Sequence, residues 1–381
     1  MIYLDHNATT PLYPAVLEAM RPYFEGRFGN PASVHAAGRD ARRAVDEGRQ
    51  CVLRLLNRTT GDLVFTGSGT EAVLLGMVGV WRAMRSQGAH VIVSSIEHRS
   101  GIDAAHMLEQ EGARVSWVAP DSTGRIDPDR VSELLSDETV LVCVQHANNE
   151  TGVLQPLREI GSLARSVGAR VFVDAVQSAG KTPLDPELWS ADYVALAAHK
   201  LGGPKGVGAL WRRERSPIVP LIPGTAEHGF RGGTLNVPAI VGFGAAAKEV
   251  VEHLDQHSAS LTAMRDAFEA RIRRLLPCGR VTGSGAERLP NTTHLTFDPE
   301  VGSDLVIALD QEGYAVSAGS ACTSGSESPS HVLLAMGMDA DRARTAVRVS
   351  LGKGSTREDL EGLVSVLQTI VETRRSMVGR S

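Results

Sequence analysis

Cysteine is scarce: four in 381 residues, Cys51, Cys143, Cys278 and Cys322, with no C-x-x-C pair and no metal-ligand spacing. A disulfide framework and a metal site are therefore not expected, and the thiols point to a reducing, cytoplasmic compartment. Long apolar runs are also missing. The longest apolar-looking stretch, Ala72 to Trp81, falls far short of the roughly 18 residues needed to cross a bilayer. The first residues, Met1-Ile-Tyr-Leu-Asp-His-Asn7, show no basic region followed by an apolar one, so they are not expected to act as a secretory signal. Nor does one sign of charge dominate: 39 Lys and Arg stand against 44 Asp and Glu, a net of -5. That disfavours direct nucleic-acid binding. Apolar residues make up 42% and charged residues 22% of the chain, which excludes a disordered or fibrous protein.

What is present is length, glycine and an alternating pattern. A chain of 381 residues suggests two or three domains. Short apolar, β-branched runs read as strands at Leu63–Thr66, His90–Ser94, Arg114–Val118, Val140–Gln145, Arg170–Asp174, Tyr193–Ala197 and Gly208–Arg212. Helical patterns lie between them at Thr70–Arg85, Gly101–Glu111, Asp127–Leu135 and Leu157–Val167. Runs such as Val140-Leu-Val-Cys-Val and Val171-Phe-Val are apolar almost throughout, as strands covered on both faces are. The expectation is an α/β fold with a mostly parallel sheet.

A second region begins near Val237. It reads as a long helix over Val241–Arg274, strands at Asn291–Thr296, Asp304–Leu309 and Ala315–Ser317, and helices near His331–Met336 and Thr356–Thr373. The mixed order suggests a smaller α+β domain. The expected division is a large domain over 15–255 and a small one made of 1–14 and 256–381. The segment Ser317 to Ser330 is small, polar and rich in glycine and serine, and reads as a mobile loop.

Ligands of open α/β sheets bind beyond the carboxyl ends of the strands, and polar residues gather there. Gly67-Ser-Gly-Thr70 opens a helix and could hold a phosphate through backbone N–H groups, or serve only as a helix cap. Glu97-His98, Asn148-Asn-Glu150, Asp174 with Gln177, and His199-Lys200 follow four further strands. Such a set suits an anionic heteroaromatic cofactor with a reactive carbonyl. Asp174 could hold a protonated ring nitrogen, as pyridoxal phosphate requires, or cap a turn. Lys200 enters a glycine-rich turn after a buried strand, where a desolvated amine could form a Schiff base; Lys205, between Pro204 and Gly206, competes with it. Cys322 is a thiol on the loop, suited to a nucleophile that travels, or incidental. Arg348, alone in the apolar run Ala346-Val-Arg-Val-Ser-Leu-Gly352, needs a substrate carboxylate or an internal ion pair.

Taken in order, the motifs Tyr3-Leu-Asp-His-Asn-Ala-Thr-Thr-Pro11, Gly29-Asn-Pro-Ala-Ser-Val-His35, Thr66-Gly-Ser-Gly-Thr-Glu71, Glu97-His98, Asn148-Asn-Glu-Thr-Gly152, Asp174-Ala-Val-Gln177, His199-Lys200 with Gly203-Pro-Lys-Gly206, Arg231-Gly-Gly-Thr234, Gly319-Ser-Ala-Cys-Thr323 and Arg348 resemble those of the cysteine desulfurases. These belong to the class V, aspartate-aminotransferase-fold pyridoxal-phosphate enzymes. The serine-rich segment around Cys322 is similar to the long-loop group typified by NifS and IscS.

The resemblance implies a fold-type-I transferase and pyridoxal 5'-phosphate as cofactor. It implies Lys200 as the Schiff-base lysine and Gly69, Thr70 and His199 at the phosphate. Thr234 would reach the phosphate of a neighbouring subunit in a homodimer. Asp174 would meet the ring nitrogen, Gln177 the ring hydroxyl, and His98 would stack on the ring and shuttle protons. Arg348, Asn149 and Asn7 would hold the carboxylate of L-cysteine, and Cys322 would accept its sulfur and pass it to an acceptor protein, an iron–sulfur scaffold or a thiolation enzyme. Selenocysteine lyase and class V aminotransferase are the alternatives. Three positions depart from the family pattern: Ala197 replaces a frequent phosphate-binding serine, His6 a frequent asparagine, and Ile222 to Glu227 a histidine- and glycine-rich stretch.

Overall fold

A computed structural model describes residues 1–318 and 328–378. Cys322 and its immediate neighbours lie outside the described residues. The chain runs β1 (Ile2–Tyr3), α1 (Pro14–Met20), α2 (Ala36–Leu55), β2 (Asp62–Thr66), α3 (Gly69–Leu74), a wide π turn over Leu75–Gly79, α4 (Val80–Met84), β3 (His90–Ser94), α5 (Arg99–Gln110), β4 (Arg114–Val118), α6 (Pro128–Leu134), β5 (Thr139–Cys143), α7 (Leu157–Ser166), β6 (Arg170–Asp174), β7 (Tyr193–Ala197) and β8 (Gly208–Arg212). There follow α8 (Val237–Leu275), β9 (Arg280–Val281), β10 (Thr292–Thr296), α9 (Leu305–Gln311), β11 (Tyr314–Ala315), α10 (His331–Ala335), α11 (Ala340–Arg344), β12 (Val347–Ser350) and α12 (Arg357–Val378).

Seven strands form the main sheet in the order β2-β8-β7-β6-β5-β3-β4, all parallel except β8, which runs antiparallel to both neighbours. Its central strands are almost wholly apolar because both faces are covered, whereas the edge strand β4 leaves Arg114 exposed. In β6, Val171 and Val173 join one buried cluster while Phe172 joins the cluster on the opposite face, the period-two alternation of a pleated strand. Six parallel strands direct their carboxyl ends to one edge, which collects the polar groups described below.

A third cluster contains Leu4, Leu261, Phe268, Ile272, Leu295, Leu309, Val347 and Leu363. It packs against a three-stranded antiparallel sheet ordered β12-β10-β9. The N-terminal strand β1 pairs in parallel with β11, and Asp5 bridges to Ser350. Helix α8 links the two regions. Its first half buries Ile240 and Phe243 beneath the main sheet, and its second half buries Phe268 and Ile272 in the third cluster. Close approach to α2 is possible because Gly244 and Gly48 face each other: a Cβ on Gly244 would lie 2.6 Å from the Gly48 Cα.

One expected strand is a helix. Leu305 and Leu309 are buried, but Ile307, which would share their face in a strand, is 63% exposed. The four-residue spacing of the buried leucines is the helical one, and a short apolar run does not by itself distinguish the two.

Packing also fixes the start of α3. A Cβ at Gly208 would lie 2.5 Å from the Ser68 carbonyl carbon and oxygen and 2.8 Å from the Gly69 nitrogen. All three are backbone atoms with little room to yield. Gly208→Ala is expected to destabilise the chain by about 1–3 kcal/mol, read by urea unfolding; an unchanged midpoint would show that β8 and α3 do not constrain each other.

Candidate active site

The carboxyl edge of the sheet brings together the groups that five strands leave behind. After β2, Ser68 caps α3 by accepting from the Glu71 N–H at 3.1 Å. Glu71 Oε2 in turn accepts from the Gly67 N–H at 2.7 Å, and Glu71 Oε1 holds Arg231 Nε at 2.8 Å. The cap is therefore real, and it rigidifies the turn whose Gly69 and Thr70 are the candidate phosphate donors. Ala197, at the end of β7, is fully buried beside this turn: a Cβ on Gly69 would lie 3.1 Å from the Ala197 methyl. A serine's hydroxyl is thus absent from the floor of the turn. Thr70 and Thr234 are both exposed.

After β6, Asp174 is buried and its Oδ1 accepts from the Val176 N–H at 2.9 Å. Burial pushes its carboxyl up to about 6, against the lowering effects of that hydrogen bond and of Lys200. After β7, Lys200 Nζ donates to the backbone carbonyls of Asn7, at 2.5 Å, and Ala8, at 2.8 Å. His199 Nδ1 lies 3.1 Å from the Thr9 hydroxyl. Burial, helped by Lys200, Lys205 and Lys181, pushes His199 down to about 4. Lys200, not Lys205, therefore sits in the crevice; Lys205 is exposed.

After β3, His98 begins α5, with Nδ1 2.7 Å from the Ser100 hydroxyl. Burial, Lys200 and His331 push it down to about 4, so near neutral pH it is an uncharged imidazole. Its neighbour Glu97 is buried, accepts from the Gln145 N–H at 2.7 Å, and is raised well above the usual carboxyl range by burial and the nearby Asp174. After β5, the buried Asn148 side chain caps the following turn, accepting from the Glu150 and Thr151 N–H groups at 3.0 and 2.9 Å.

Arg348, only 2% exposed, makes the internal ion pair that sequence left open: its guanidinium donates to Asp5 Oδ1 at 2.6 Å and to the Asn149 carbonyl at 3.0 Å. Asn7 differs from its expected place at a substrate carboxylate. Its amide donates to Thr292 Oγ1 at 2.9 Å and to the Asn149 carbonyl at 3.3 Å, which uses both hydrogens. Asn7 thus joins the two regions rather than presenting a donor to the crevice. His6, one of the departures, is buried edge-on to Tyr3 with ring centroids 5.1 Å apart. Glu227, closing the Ile222 to Glu227 departure, is buried and holds Arg49 at 2.7 Å and the Phe65 N–H at 2.6 Å.

The family model of the class-V aminotransferases matches residues 2–363. A cysteine desulfurase IscS of Anaeromyxobacter dehalogenans is 41% identical over 381 residues, covering 99% of this chain and 94% of that protein. A solved NifS-like protein superposes with a TM-score of 0.90 at 32% identity, covering 98% of this chain and 99% of that one. A structure of SspA in complex with cysteine gives a TM-score of 0.82 at 34% identity, covering 92% and 99%. The chain belongs to the class-V aminotransferases, among the cysteine desulfurases.

Cysteine desulfurases are pyridoxal-phosphate enzymes, and the residues present fit that cofactor. A primary amine, Lys200, and a buried carboxyl, Asp174, share one crevice and act on each other electrostatically. The Asn149 Oδ1 atom there is buried and accepts no hydrogen bond among the described residues, as expected of a group whose partner is a ligand. Among the expected cysteine desulfurase residues, Asp174, Gln177, His98, His199, Lys200, Asn149 and Arg348 line or flank this crevice; Cys322 lies outside the described residues. Sequence reasoning missed Lys181 and Asp5. Lys181 carried one signal, its spacing of four from Gln177 and seven from Asp174; Asp5 carried none beyond its place in the first motif.

The raised carboxyl of Asp174 has a measurable sign. Its folded value, about 6, exceeds the unfolded 3.8, so the native state binds the extra proton and loses stability as pH rises from about 4 to beyond 6. Asp174→Asn in cofactor-free protein is expected to gain on the order of 2 kcal/mol relative to wild type between pH 4 and pH 8. Thermal unfolding at the two pH values checks this, and equal differences at both would refute the shift.

Proposed function

We propose that this desulfurase removes sulfur from L-cysteine, leaving L-alanine and a persulfide on Cys322, and passes the sulfur to an acceptor protein of iron–sulfur cluster assembly or of a thiolation pathway. The observation that carries the reading is the Lys200 amine fixed by the Asn7 and Ala8 carbonyls beside buried Asp174. When bound, pyridoxal phosphate supplies an electron sink conjugated to the substrate's α-carbon.

The chain's own groups do the rest. Gly69, Thr70 and His199 hold the phosphate, and Asp174 and Gln177 hold the ring nitrogen and hydroxyl. Arg348, oriented by Asp5, takes the substrate carboxylate together with Asn149. Lys200 removes the α-proton of the substrate. The uncharged His98 is suited to carry a proton at the leaving end of the reaction. The Cys322 thiolate attacks the substrate sulfur: the substrate Cβ–S bond breaks, an S–S bond forms on Cys322, and protonation at carbon completes alanine. The glycine- and serine-rich composition around Cys322 suits a thiol that works in the crevice and delivers outside it.

A homodimer with shared sites fits the exposed Thr70 and Thr234, together with Phe24, Phe28 and Val34, which are 66%, 81% and 84% exposed in the single chain. Among the described residues no helix is long and apolar enough to cross a membrane, which is compatible with work in the cytoplasm.

The test is L-cysteine turnover by the reconstituted protein with and without Cys322→Ala. Wild type should release alanine and sulfide in the presence of a thiol reductant. The variant should lose more than about a hundredfold in rate while keeping its bound cofactor. Undiminished turnover would favour a selenocysteine lyase or a class V aminotransferase, and a colourless protein that cannot be reconstituted would defeat the enzyme reading.

A further inference from the structure

Lys181 is a buried lysine to which the reaction above gives no part. It is 7% exposed and follows a turn whose Gly180 has φ +79°. Its Nζ donates to Asn7 Oδ1 at 3.0 Å and to Gln177 Oε1 at 3.1 Å. The same Gln177 amide donates through Nε2 to the Asn7 carbonyl at 2.9 Å. That carbonyl also accepts from Lys200 Nζ. The Ser258 hydroxyl of α8 donates to the Lys181 carbonyl at 2.7 Å, fixing the residue's backbone. Lys181, Lys200, His6, His257, Lys353 and Asn291 line one cavity of about 260 Å³.

An amide side chain can usually turn over at small cost, exchanging its donor and acceptor ends. Here it cannot. A turned Gln177 would set its NH2 against the Lys181 amine and its oxygen against the Asn7 carbonyl, placing donor on donor and acceptor on acceptor. We propose that Lys181 is a positioning residue: it locks the Gln177 amide with its N–H end toward the cofactor's ring oxygen and, through Asn7, steadies the carbonyl that holds Lys200. This rests on the assignment of Gln177 to the ring hydroxyl made above.

Burial and the positive charges of Lys200 and Arg348 push the Lys181 amine well below the usual lysine range. Either protonation state still offers at least two N–H donors, the number used. The other ionisable groups around this cluster are His6 from the N-terminal segment and His199 after β7, both of which feel the Lys181 charge, and Tyr13, His257 and Lys353 at the cavity wall. None of them accepts a hydrogen bond from Lys181, whose two bonds go to amide oxygens.

The test is a pH titration of the visible absorbance of the cofactor-loaded protein, with the cofactor's dissociation constant from reconstitution, in wild type, Lys181→Met, Gln177→Ala and the double variant. A fixed N–H donor at the ring oxygen favours its ionised form. Lys181→Met should therefore move the absorbance midpoint to higher pH by about one unit and weaken cofactor binding about tenfold. Both effects should vanish when Gln177 is already alanine, because Lys181 acts through it. Lys181→Arg, which keeps donors, should recover part of the shift. A merely structural lysine would change thermal stability without moving the midpoint. A midpoint unchanged in Lys181→Met, or a shift of equal size in the Gln177→Ala background, overturns the proposal. Failure of wild type itself to take up the cofactor overturns the functional reading instead.

Discussion

The hydrogen bonds from Lys200 Nζ to the carbonyls of Asn7 and Ala8 hold the rest of the site in register. Those carbonyls belong to a segment that begins in the small sheet, where Asp5 bridges to Ser350, and ends over the main sheet, where the Thr10 N–H and hydroxyl both reach the His199 carbonyl. Along its course Asp5 takes Arg348, Asn7 takes Gln177, Lys181 and Asn291, and Thr9 takes His199. Few residues therefore couple the Lys200 amine, the residues proposed to surround the cofactor's ring and the candidate carboxylate-binding arginine. The two packed regions cannot shift against each other without disturbing all three.

Burial decides the charge state of this crevice. His98 and His199 are both pushed down to about 4 and stay uncharged at neutral pH. The carboxyls of Glu97, Glu150 and Asp174 are all pushed upward. The Arg348 guanidinium and the Lys200 amine give this crevice donors suited to anions. That suits a phosphate-bearing cofactor and an amino-acid substrate bound by its carboxylate.

Much of the architecture was legible because the central parallel strands are apolar on both faces, a pattern that neither loops nor surface helices imitate. Five of the seven strands of the main sheet were read to the residue; β2 begins one residue earlier, at Asp62, and β5 was shifted, since Val144 and Gln145 continue its apolar texture past the last paired residue. The stretch Asp304–Leu309 failed because two buried leucines four apart look strand-like in so short a window, and only the exposure of Ile307 separates the alternatives. The motif residues at the strand ends did converge, because parallel strands must release their chain on one side. The spacing of Lys181 from Gln177 hinted at a shared site, but its burial against Asn7 was not legible. Its burial depends on Asn7, 174 positions away in sequence, and no local period reports a contact of that range. The same holds for the pairing of Arg348, itself legible as a buried cation needing a partner, with Asp5, 343 positions away.

The central claim is that Lys200, among the lysines near the crevice, carries the reactive amine. Borohydride reduction of the cofactor-loaded protein followed by peptide mass spectrometry locates the attachment directly. The account predicts a single phosphopyridoxyl group on Lys200, with its neighbours Lys181 and Lys205 unmodified. Label on either of those two lysines would contradict it.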